Sequence, residues 1–303
     1  MRQIGIPRAL YYFQYYPLWE TYLAELGFEV ITSPPTNQEI LELGLTACVD
    51  GACLPLKAFV GHVRFLVNRG LELLFVPQAI SVVPGEYTCT NLLGLPDLVQ
   101  QYIPSSVRLL SPALDARKGA GKISFSYLRC GLEFASALRV LKAWQTAQAA
   151  QRQVDTAPKA NGSTGRGLNI LILGPRYLTD DAYLNGDLMG KLAALGVQVT
   201  AAAAFPDSIT LPASRSLAKR PFWTSMRRSL GALEHCLHRV DGVISLAPFA
   251  CVAEAMQGVM VAERTAKTEC AHLELHVDEH SSPVGLVTRL EAFCDLLERK
   301  RRG

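Results

Sequence analysis

Short apolar runs alternate with longer amphipathic segments along most of the chain. In the first half, the predicted strands are Arg2–Ile6, Phe28–Thr32, Leu73–Val76 and Val107–Leu110. The predicted helices lie between and after them: one ending at Tyr22–Leu26, Asn37–Leu43, Pro55 to about Asn68, Leu95–Tyr102, and about Tyr127–Ala150. Strands that alternate with helices in this way favour a parallel sheet covered by helices.

The same alternation restarts near Leu168. The predicted strands are Leu168–Leu173, Val197–Ala201, Gly242–Leu246 and Ala271–Val277, and the predicted helices are Thr179–Leu195, Ser225–Arg239, Glu254–Ala262 and Val287–Arg299. Residues 151–167 lack apolar periodicity and are rich in Gly, Ser, Thr and Asn, which predicts a flexible linker. We therefore predict an α/β protein with two Rossmann-like, doubly wound, parallel-sheet domains, residues 1–150 and 168–303, facing each other across a cleft.

The composition excludes several classes of protein. Of the 303 residues, 49% are hydrophobic and 19% are charged, which is typical of a globular protein with well-formed cores. A formal charge of +3 is too small to predict nucleic-acid binding. Since no signal peptide and no membrane span is recognisable, we expect a cytoplasmic protein. Its eight cysteines are then expected to be reduced thiols.

Three of these cysteines lie where ligands bind in parallel α/β folds. Cys53 stands at the start of a predicted helix, Cys89 lies in the connection after the Leu73–Val76 strand, and Cys251 follows the Gly242–Leu246 strand. Such positions belong to the carboxyl edge of a sheet. Thiolates are the soft ligands that iron–sulfur clusters require. The spacing favours an iron–sulfur site supplied by loops of both domains, and simple packing of the thiols is the alternative.

The other five cysteines are assigned lesser roles. We expect Cys236 and Cys294 to pack in cores, and Cys270 to be structural. Cys48 lies five residues before the first of the three candidate ligands, which resembles half of a zinc site, but the sequence offers no second pair to complete it. Cys130, at the predicted start of a helix, is a reserve ligand.

Two polar residues accompany Cys53 on its predicted helix. Lys57 lies one turn along, where its charge would stabilise an anionic cluster; an ordinary solvated lysine is the alternative. His62 is the candidate catalytic residue, as a proton-handling group near the cluster. The competing interpretation is a helix histidine that is hydrogen-bonded to a backbone carbonyl.

Several strings resemble a known family: Ile4–Leu10, Tyr16–Trp19, Leu26–Val30, Cys53–Lys57, Gly61–Val63, Glu86–Cys89, Gly94–Asp97, Asp278–His280 and Gly285–Phe293. Together they resemble the uncharacterised domain that is fused to, or encoded with, 2-hydroxyacyl-CoA dehydratase activases in anaerobes. That domain is related to the dehydratase subunits and to double-cubane cluster proteins. The resemblance covers most of the chain except the linker.

The resemblance implies a cysteine-ligated iron–sulfur cofactor, of [4Fe-4S] or double-cubane type, between two Rossmann-like domains. By position, Cys53, Cys89 and Cys251 match the ligand-bearing segments, although a glycine is expected where Ala250 stands. A double-cubane cluster needs more thiolates, for which Cys48 and Cys130 are the candidates. The resemblance also implies an ATP-hydrolysing activase that delivers low-potential electrons, and it must be a separate protein because this chain has no recognisable ATPase core.

The leading hypothesis is thus an iron–sulfur redox protein of the 2-hydroxyacyl-CoA dehydratase-like group. The sequence leaves open whether it is an electron relay or an enzyme, either an activase-coupled reductase or a dehydratase-like lyase. A homodimer or a complex with a related subunit is the expected assembly. The alternatives are a metal-free two-lobed module that binds a CoA-like or nucleotide ligand, and an assembly partner of an activase. Convergence of the three sulfurs would discriminate between these hypotheses.

Overall fold

Each half of the chain builds its own four-stranded parallel sheet. The computed structural model describes residues 2–117, 119–156, 167–217, 219–281 and 283–302. Contacts divide the chain into unit 1, Met1–Ala157 with Phe222–Thr224, and unit 2, Pro158–Pro221 with Ser225–Gly303. The predicted α/β class with two parallel sheets is confirmed. The predicted cleft between the domains stays a prediction.

Unit 1 is built around the strand order β2-β1-β3-β5. Its strands are β1 (Arg2–Ile6), β2 (Phe28–Thr32), β3 (Leu73–Phe75), β4 (Gln78–Ser81), β5 (Arg108–Leu110) and β6 (Ala113–Asp115). The central strand β1 buries Ile4 and Ile6 completely, as expected of a strand covered on both faces. The sequence did not predict β4 and β6, which form a separate two-stranded parallel sheet.

The helices of unit 1 are α1 (Tyr12–Leu26), α2 (Gln38–Leu45), α3 (Leu54–Asn68), α4 (Thr90–Leu93), α5 (Leu95–Gln100), α6 (Ala120–Gly131) and α7 (Ala137–Thr156). The prediction of one helix over Tyr127–Ala150 was wrong, because a turn separates α6 from α7. Gly131 lies at that turn, where a side chain would collide with Tyr22 and Val140. The Tyr22 hydroxyl also donates to the Tyr127 carbonyl at 2.5 Å, and thereby ties the end of α6 to α1.

Helices α2 and α3 cross through two glycines. A Cβ atom on Gly44 would overlap the carbonyl oxygen of Lys57, and one on Gly61 would overlap the carbonyl oxygen of Ile40. The two backbones can approach this closely only because neither glycine has a side chain. This crossing holds together the end of α2 and the start of α3, the two points from which the Cys48 and Cys53 segments extend.

Unit 2 has the strand order β10-β9-β7-β8, and all of these strands are parallel. Its strands are β7 (Asn169–Leu173), β8 (Gln198–Ala201), β9 (Gly242–Pro248) and β10 (Ala271–Val277). Every residue of β9 is buried. Its helices are α8 (Arg176–Thr179), α9 (Leu188–Ala194), α10 (Asp207–Ala213), α11 (Thr224–Cys236), α12 (Val252–Ala266) and α13 (Pro283–Arg302). No helix in the described ranges is long and apolar enough to cross a bilayer.

Two boundaries differ from the predictions. The helix predicted up to Leu195 is two short helices, because Asp181 accepts hydrogen bonds from the backbone N–H groups of Tyr183 and Leu184 and closes a turn between them. Helix α7 continues to Thr156, so residues 151–156 of the predicted linker are helical. Residues 157–166 of that linker lie outside the described residues.

A short segment from the later half of the chain belongs to unit 1. The Tyr87 N–H donates to the Phe222 carbonyl at 3.0 Å, and the Thr224 N–H donates to the Tyr87 carbonyl at 3.0 Å. The rings of Tyr87 and Phe222 stack with their centroids 4.6 Å apart. The segment Phe222–Thr224 therefore packs against the loop that leads to Cys89, an arrangement that the hydrophobic pattern did not indicate.

Candidate thiol site at two helix N-termini

Cys53 and Cys89 occupy equivalent positions in unit 1. Each is the N-cap residue of a helix, Cys53 of α3 and Cys89 of α4, and each has an extended backbone. Pro55 fits the first turn of α3, where no N–H is needed. Because α3 leads back to the start of β3, its first turn lies at the edge where the parallel strands end. Both thiols are half-buried.

A hydrogen bond links the surroundings of the two thiols. The side-chain amide of Asn91, in the first turn of α4, donates to the sulfur of Cys53, as does the backbone N–H of Leu56. Asn91 is two residues beyond Cys89, so the starts of α3 and α4 are neighbours. Amide donors aimed at a sulfur stabilise its anionic form, which is how proteins tune metal-bound thiolates.

A third thiol, that of Cys48, and a buried lysine complete this region. Lys57 is only 4% exposed, and its charge lowers the pKa of both Cys53 and Cys48. Cys48 is also hydrogen-bonded to the Tyr102 hydroxyl. Burial is nevertheless the largest influence, and it raises the pKa of both thiols above the ordinary value. Without a metal these cysteines are therefore neutral at pH 7, and a bound metal ion would displace their protons.

The described residues do not assemble a complete metal centre. Among them, no three His, Cys, Asp or Glu side chains form a group that could hold a metal ion. Cys251 belongs to unit 2, where it is the N-cap residue of α12, and its N–H donates to the Pro248 carbonyl at 3.1 Å. Its assignment as the third ligand stays a prediction.

The residue before Cys251 is strained. Ala250 has a φ of 63°, in the left-handed region that favours glycine. The family resemblance implies a glycine at this position, and the backbone shows the conformation that a glycine would adopt without strain. The loop between β9 and α12 therefore has, at Ala250, a backbone conformation that suits glycine better than alanine.

We expect Ala250→Gly to stabilise unit 2 by up to about 1 kcal/mol. Relief of the left-handed strain, about 1–2 kcal/mol, outweighs the greater freedom of glycine in the unfolded chain. Hydrogen exchange of peptides from α12 would measure the change. Ala255→Gly, in the exposed interior of the same helix, is the matched control and should instead destabilise by about 1 kcal/mol. Equal losses in both variants would contradict the prediction.

The remaining cysteines are dispersed. Cys130 does not open a helix as predicted; it lies at the end of α6, on the wall of a cleft beside β5. Cys236 and Cys294 are buried, as predicted for core cysteines. Cys270 is half-buried, with its sulfur 3.8 Å from the Ala271 carbonyl oxygen.

His62 is completely buried and held through both ring nitrogens. Nδ1 lies 2.8 Å from the Ser33 hydroxyl and Nε2 lies 3.0 Å from the Thr36 hydroxyl. Burial first, and the charge of Arg8 second, lower the pKa of the imidazole to about 3. The partners are thus two hydroxyls instead of the backbone carbonyl considered above, and they leave no ring nitrogen for a substrate.

His62 should make unit 1 sensitive to mild acid. Below pH 6.5 the imidazole binds a proton in the unfolded chain but not in the folded one. The free energy of unfolding therefore decreases as the pH is lowered, by about 2 kcal/mol between pH 7 and pH 5. Tryptophan fluorescence during urea unfolding reports this, since Trp19, Trp144 and Trp223, all three tryptophans of the chain, lie in unit 1. His62→Gln should flatten the change between pH 7 and 5. An unchanged slope in this variant would refute the assignment.

The crevice between β1 and β3, where the strand order reverses, is filled. Ligands of doubly wound folds commonly bind at such a point. Here Pro7, Leu10, Trp19, Phe75 and other apolar side chains leave a cavity of only about 10 Å³. It has neither the room nor the polar groups that a pyrophosphate needs.

Two members of the thiol region were not singled out from the sequence. Asn91 lies beside Cys89 in a segment already expected to carry a ligand, which was the available signal. Tyr102 is far from Cys48 along the chain, and only the packing of α5 brings its hydroxyl to the thiol. The buried state of Lys57 was likewise undetermined, because a lysine one turn into a helix is usually solvated.

These features define an α/β protein with two parallel sheets, whose first unit places the thiols of Cys48 and Cys53 near a buried lysine. Residues 3–204 match the family described as CoA enzyme activase uncharacterised domain (DUF2229), and the chain belongs to that family. The matched residues include Cys48, Cys53, Cys89 and Lys57 but end before Cys251. The family is associated with activases of CoA enzymes.

Other comparisons add little. No curated protein matches the chain significantly. One solved structure, a protein from Silicibacter pomeroyi DSS-3 assigned as a phosphosugar isomerase, is similar over 99% of this chain and 86% of its own. Its sequence identity is 11% and its TM-score is 0.22, so this likeness supports no argument about fold or function.

Proposed function

We propose that this protein carries an iron–sulfur cluster and exchanges electrons with a separate ATP-hydrolysing activase. The single observation that carries the proposal is the neighbourhood of Cys53. Its sulfur accepts a hydrogen bond from the side chain of Asn91, which lies in the turn that Cys89 caps, and the charge of the buried Lys57 acts on the same sulfur. The association of the family with activases of CoA enzymes supports the same partner.

The donor chemistry of the thiol region fits such a cofactor. Cys53 and Cys89 offer soft thiolates, and Leu56 and Asn91 offer amide donors to sulfur. Lys57 supplies a positive charge against the negative charge that cysteine-ligated clusters carry. When bound, a cluster would supply one-electron transfer at low potential. Cys251 and Cys48 are the candidates for the remaining ligand positions.

The surroundings of Cys48 and Cys53 also explain why these thiols remain unreactive before a cofactor binds. Burial keeps Cys48 and Cys53 protonated at neutral pH, and a protonated thiol is a poor nucleophile and a poor target for oxidation. The nearby Lys57 and amide donors then favour the thiolate once a metal displaces the proton. The same residues therefore protect the empty site and stabilise the loaded one.

Iron and acid-labile sulfide in anaerobically purified and reconstituted protein test the proposal. We expect about four irons per chain for a cubane, or about eight for a double cubane, with an electron paramagnetic resonance signal after reduction. Cys53→Ala should lose the iron, whereas Cys270→Ala, at a half-buried thiol of unit 2, should retain it. Iron-free wild-type protein after reconstitution would overturn the proposal.

The alternative functions have less support. For the metal-free two-lobed module, the apolar cavity between β1 and β3 offers no site for a nucleotide within unit 1, and binding between the two lobes stays a prediction. If the reconstituted protein contains no iron, two functions remain: binding of a CoA-like ligand at another site, and a role as an assembly partner of an activase. Calorimetry with CoA esters and a pull-down with the activase would then separate these two.

A further inference from the structure

A polar cleft of about 390 Å³ runs beside the edge strand of the unit 1 sheet. One wall is β5 with Ser111, and the other is the end of α6 with the turn that follows it, including Arg129, Cys130 and Glu133. Its size falls in the range of small-molecule sites, about 300–1,000 Å³. The cleft is not part of the thiol site described above.

The charge of this cleft is positive. Arg108 and Arg129 both line it, against one carboxylate, Glu133. Arg108 meets Glu133 at 3.3 Å, but the two side chains are 61% and 54% exposed, and such a pair is weak. Arg129 makes no ion pair with any described residue. Two arginines thus line the cleft, and the planar sets of N–H donors on their guanidinium groups are well suited to binding anions.

Neutral hydrogen-bonding groups also lie on the strand side of the cleft. The Ser111 hydroxyl oxygen is buried and has no hydrogen-bond partner among the described residues. The Arg108 N–H and the Leu110 carbonyl both pair with the β3 side, which turns the backbone of Leu109 toward the open edge of the sheet. Buried polar groups are rarely left unpaired in proteins, so these groups favour a polar occupant.

We propose that this cleft binds the phosphate or carboxylate group of a small anionic molecule. Arg108 and Arg129 would neutralise the anion, and the Ser111 hydroxyl would donate to one of its oxygens. Cys130, on the wall beside Arg129, gives the site a built-in reporter. The proposal is independent of the iron–sulfur proposal, because none of the four cysteines proposed there as ligands lines this cleft.

Alkylation of Cys130 by two reagents that differ in charge tests this cleft. Iodoacetate and iodoacetamide attack the same thiolate, so the ratio of their rates does not depend on the pKa of the thiol. Mass spectrometry at about pH 8.5 would follow Cys130 and, as an internal reference, the half-buried Cys270. The quantity compared is the rate with iodoacetate divided by the rate with iodoacetamide. We expect this ratio to be about threefold or more higher at Cys130 than at Cys270, because the arginines attract the anionic reagent.

Variants and competing ions complete the test. Arg129→Ala should abolish the preference at Cys130, whereas Arg239→Ala, which removes an exposed charge from unit 2, should not change it. Inorganic phosphate or succinate, at ionic strength matched with chloride, should slow alkylation at Cys130 alone, and the more protective anion identifies the preferred group. A ratio insensitive to Arg129→Ala, or equal slowing by chloride, phosphate and succinate, would overturn the proposal.

Discussion

Above pH 7 the Glu254→Gln variant is expected to be more stable than the wild type by about 3 kcal/mol. Glu254 lies in the first turn of α12 and is 1% exposed. Neither carboxylate oxygen makes a hydrogen bond of normal geometry with a described residue. The Ser225 hydroxyl is near enough to lower the pKa of the carboxyl slightly, against the larger effect of burial. Burial therefore raises the pKa of this carboxyl to about 7.

The sign of the effect follows from this raised pKa. Below about pH 4.5 the carboxyl is protonated in both the folded and the unfolded chain, and it contributes no pH dependence. Between about pH 4.5 and 7 the unfolded chain releases a proton that the folded chain keeps, so stability falls as pH rises. Above pH 7 the full penalty of burying the charge is present. A neutral glutamine avoids it.

Hydrogen exchange or urea unfolding of unit 2 at pH 5 and pH 8 would measure this. The two proteins should be nearly equal at pH 5 and differ at pH 8. Glu263→Gln is the control, since Glu263 lies on the exposed face of the same helix and pairs with the exposed Lys267 at 2.6 Å. A loss of stability in Glu254→Gln at both pH values would show that the carboxylate has a partner beyond the described residues.

Replacement of Gly61 by alanine is expected to destabilise unit 1 by about 3 kcal/mol. In an exposed helix the same change stabilises by up to about 1 kcal/mol. Here the sign reverses because the new Cβ atom would overlap the Ile40 carbonyl oxygen, and a backbone atom cannot rotate away. Helices α2 and α3 must separate, which displaces Cys53 and Lys57.

Tryptophan fluorescence during urea unfolding measures this loss, since the tryptophans all lie in unit 1. Gly51→Ala is the matched control. Gly51 lies between Cys48 and Cys53, and a Cβ atom there would meet nothing within 4 Å, so its effect should stay within about 0.5 kcal/mol. Iron binding should fall in Gly61→Ala and persist in Gly51→Ala. Equal stability of the two variants would show that the crossing is not as close as described.

Much of the fold could be read from local patterns. The strands Arg2–Ile6, Phe28–Thr32 and Ala271–Val277 were predicted with their observed bounds, because each is a short segment rich in apolar residues or alternating between apolar and polar ones. The predictions failed where the bounds of an element depend on contacts with residues that are distant along the chain. The break between α6 and α7 depends on contacts of Gly131 with Tyr22 and Val140, which are remote from it along the chain or lie beyond the turn.

The candidate site divides in the same way. The N-cap positions of Cys53 and Cys251 follow from local signals, a loop before each and a proline or helical pattern after it, and the sequence placed both at helix starts. Cys89 was predicted only to lie in the connection after the Leu73–Val76 strand, because the single turn of α4 is too short to give a recognisable pattern. The sequence could not reveal that Asn91 reaches Cys53 or that Tyr102 reaches Cys48, since these pairs form only when separate helices pack together.

The sequence alone determined that this protein alternates strands and helices in two halves, resembles an activase-associated family and has Cys53 and Cys251 at the starts of helices. These properties depend on residue type and short spacing. Only the tertiary structure decided that Lys57 and His62 are buried, that Gly61 is a crossing point, that Glu254 has a raised pKa and that Phe222–Thr224 joins unit 1. Burial and electrostatics depend on every element packed around a group, and no local pattern contains that information.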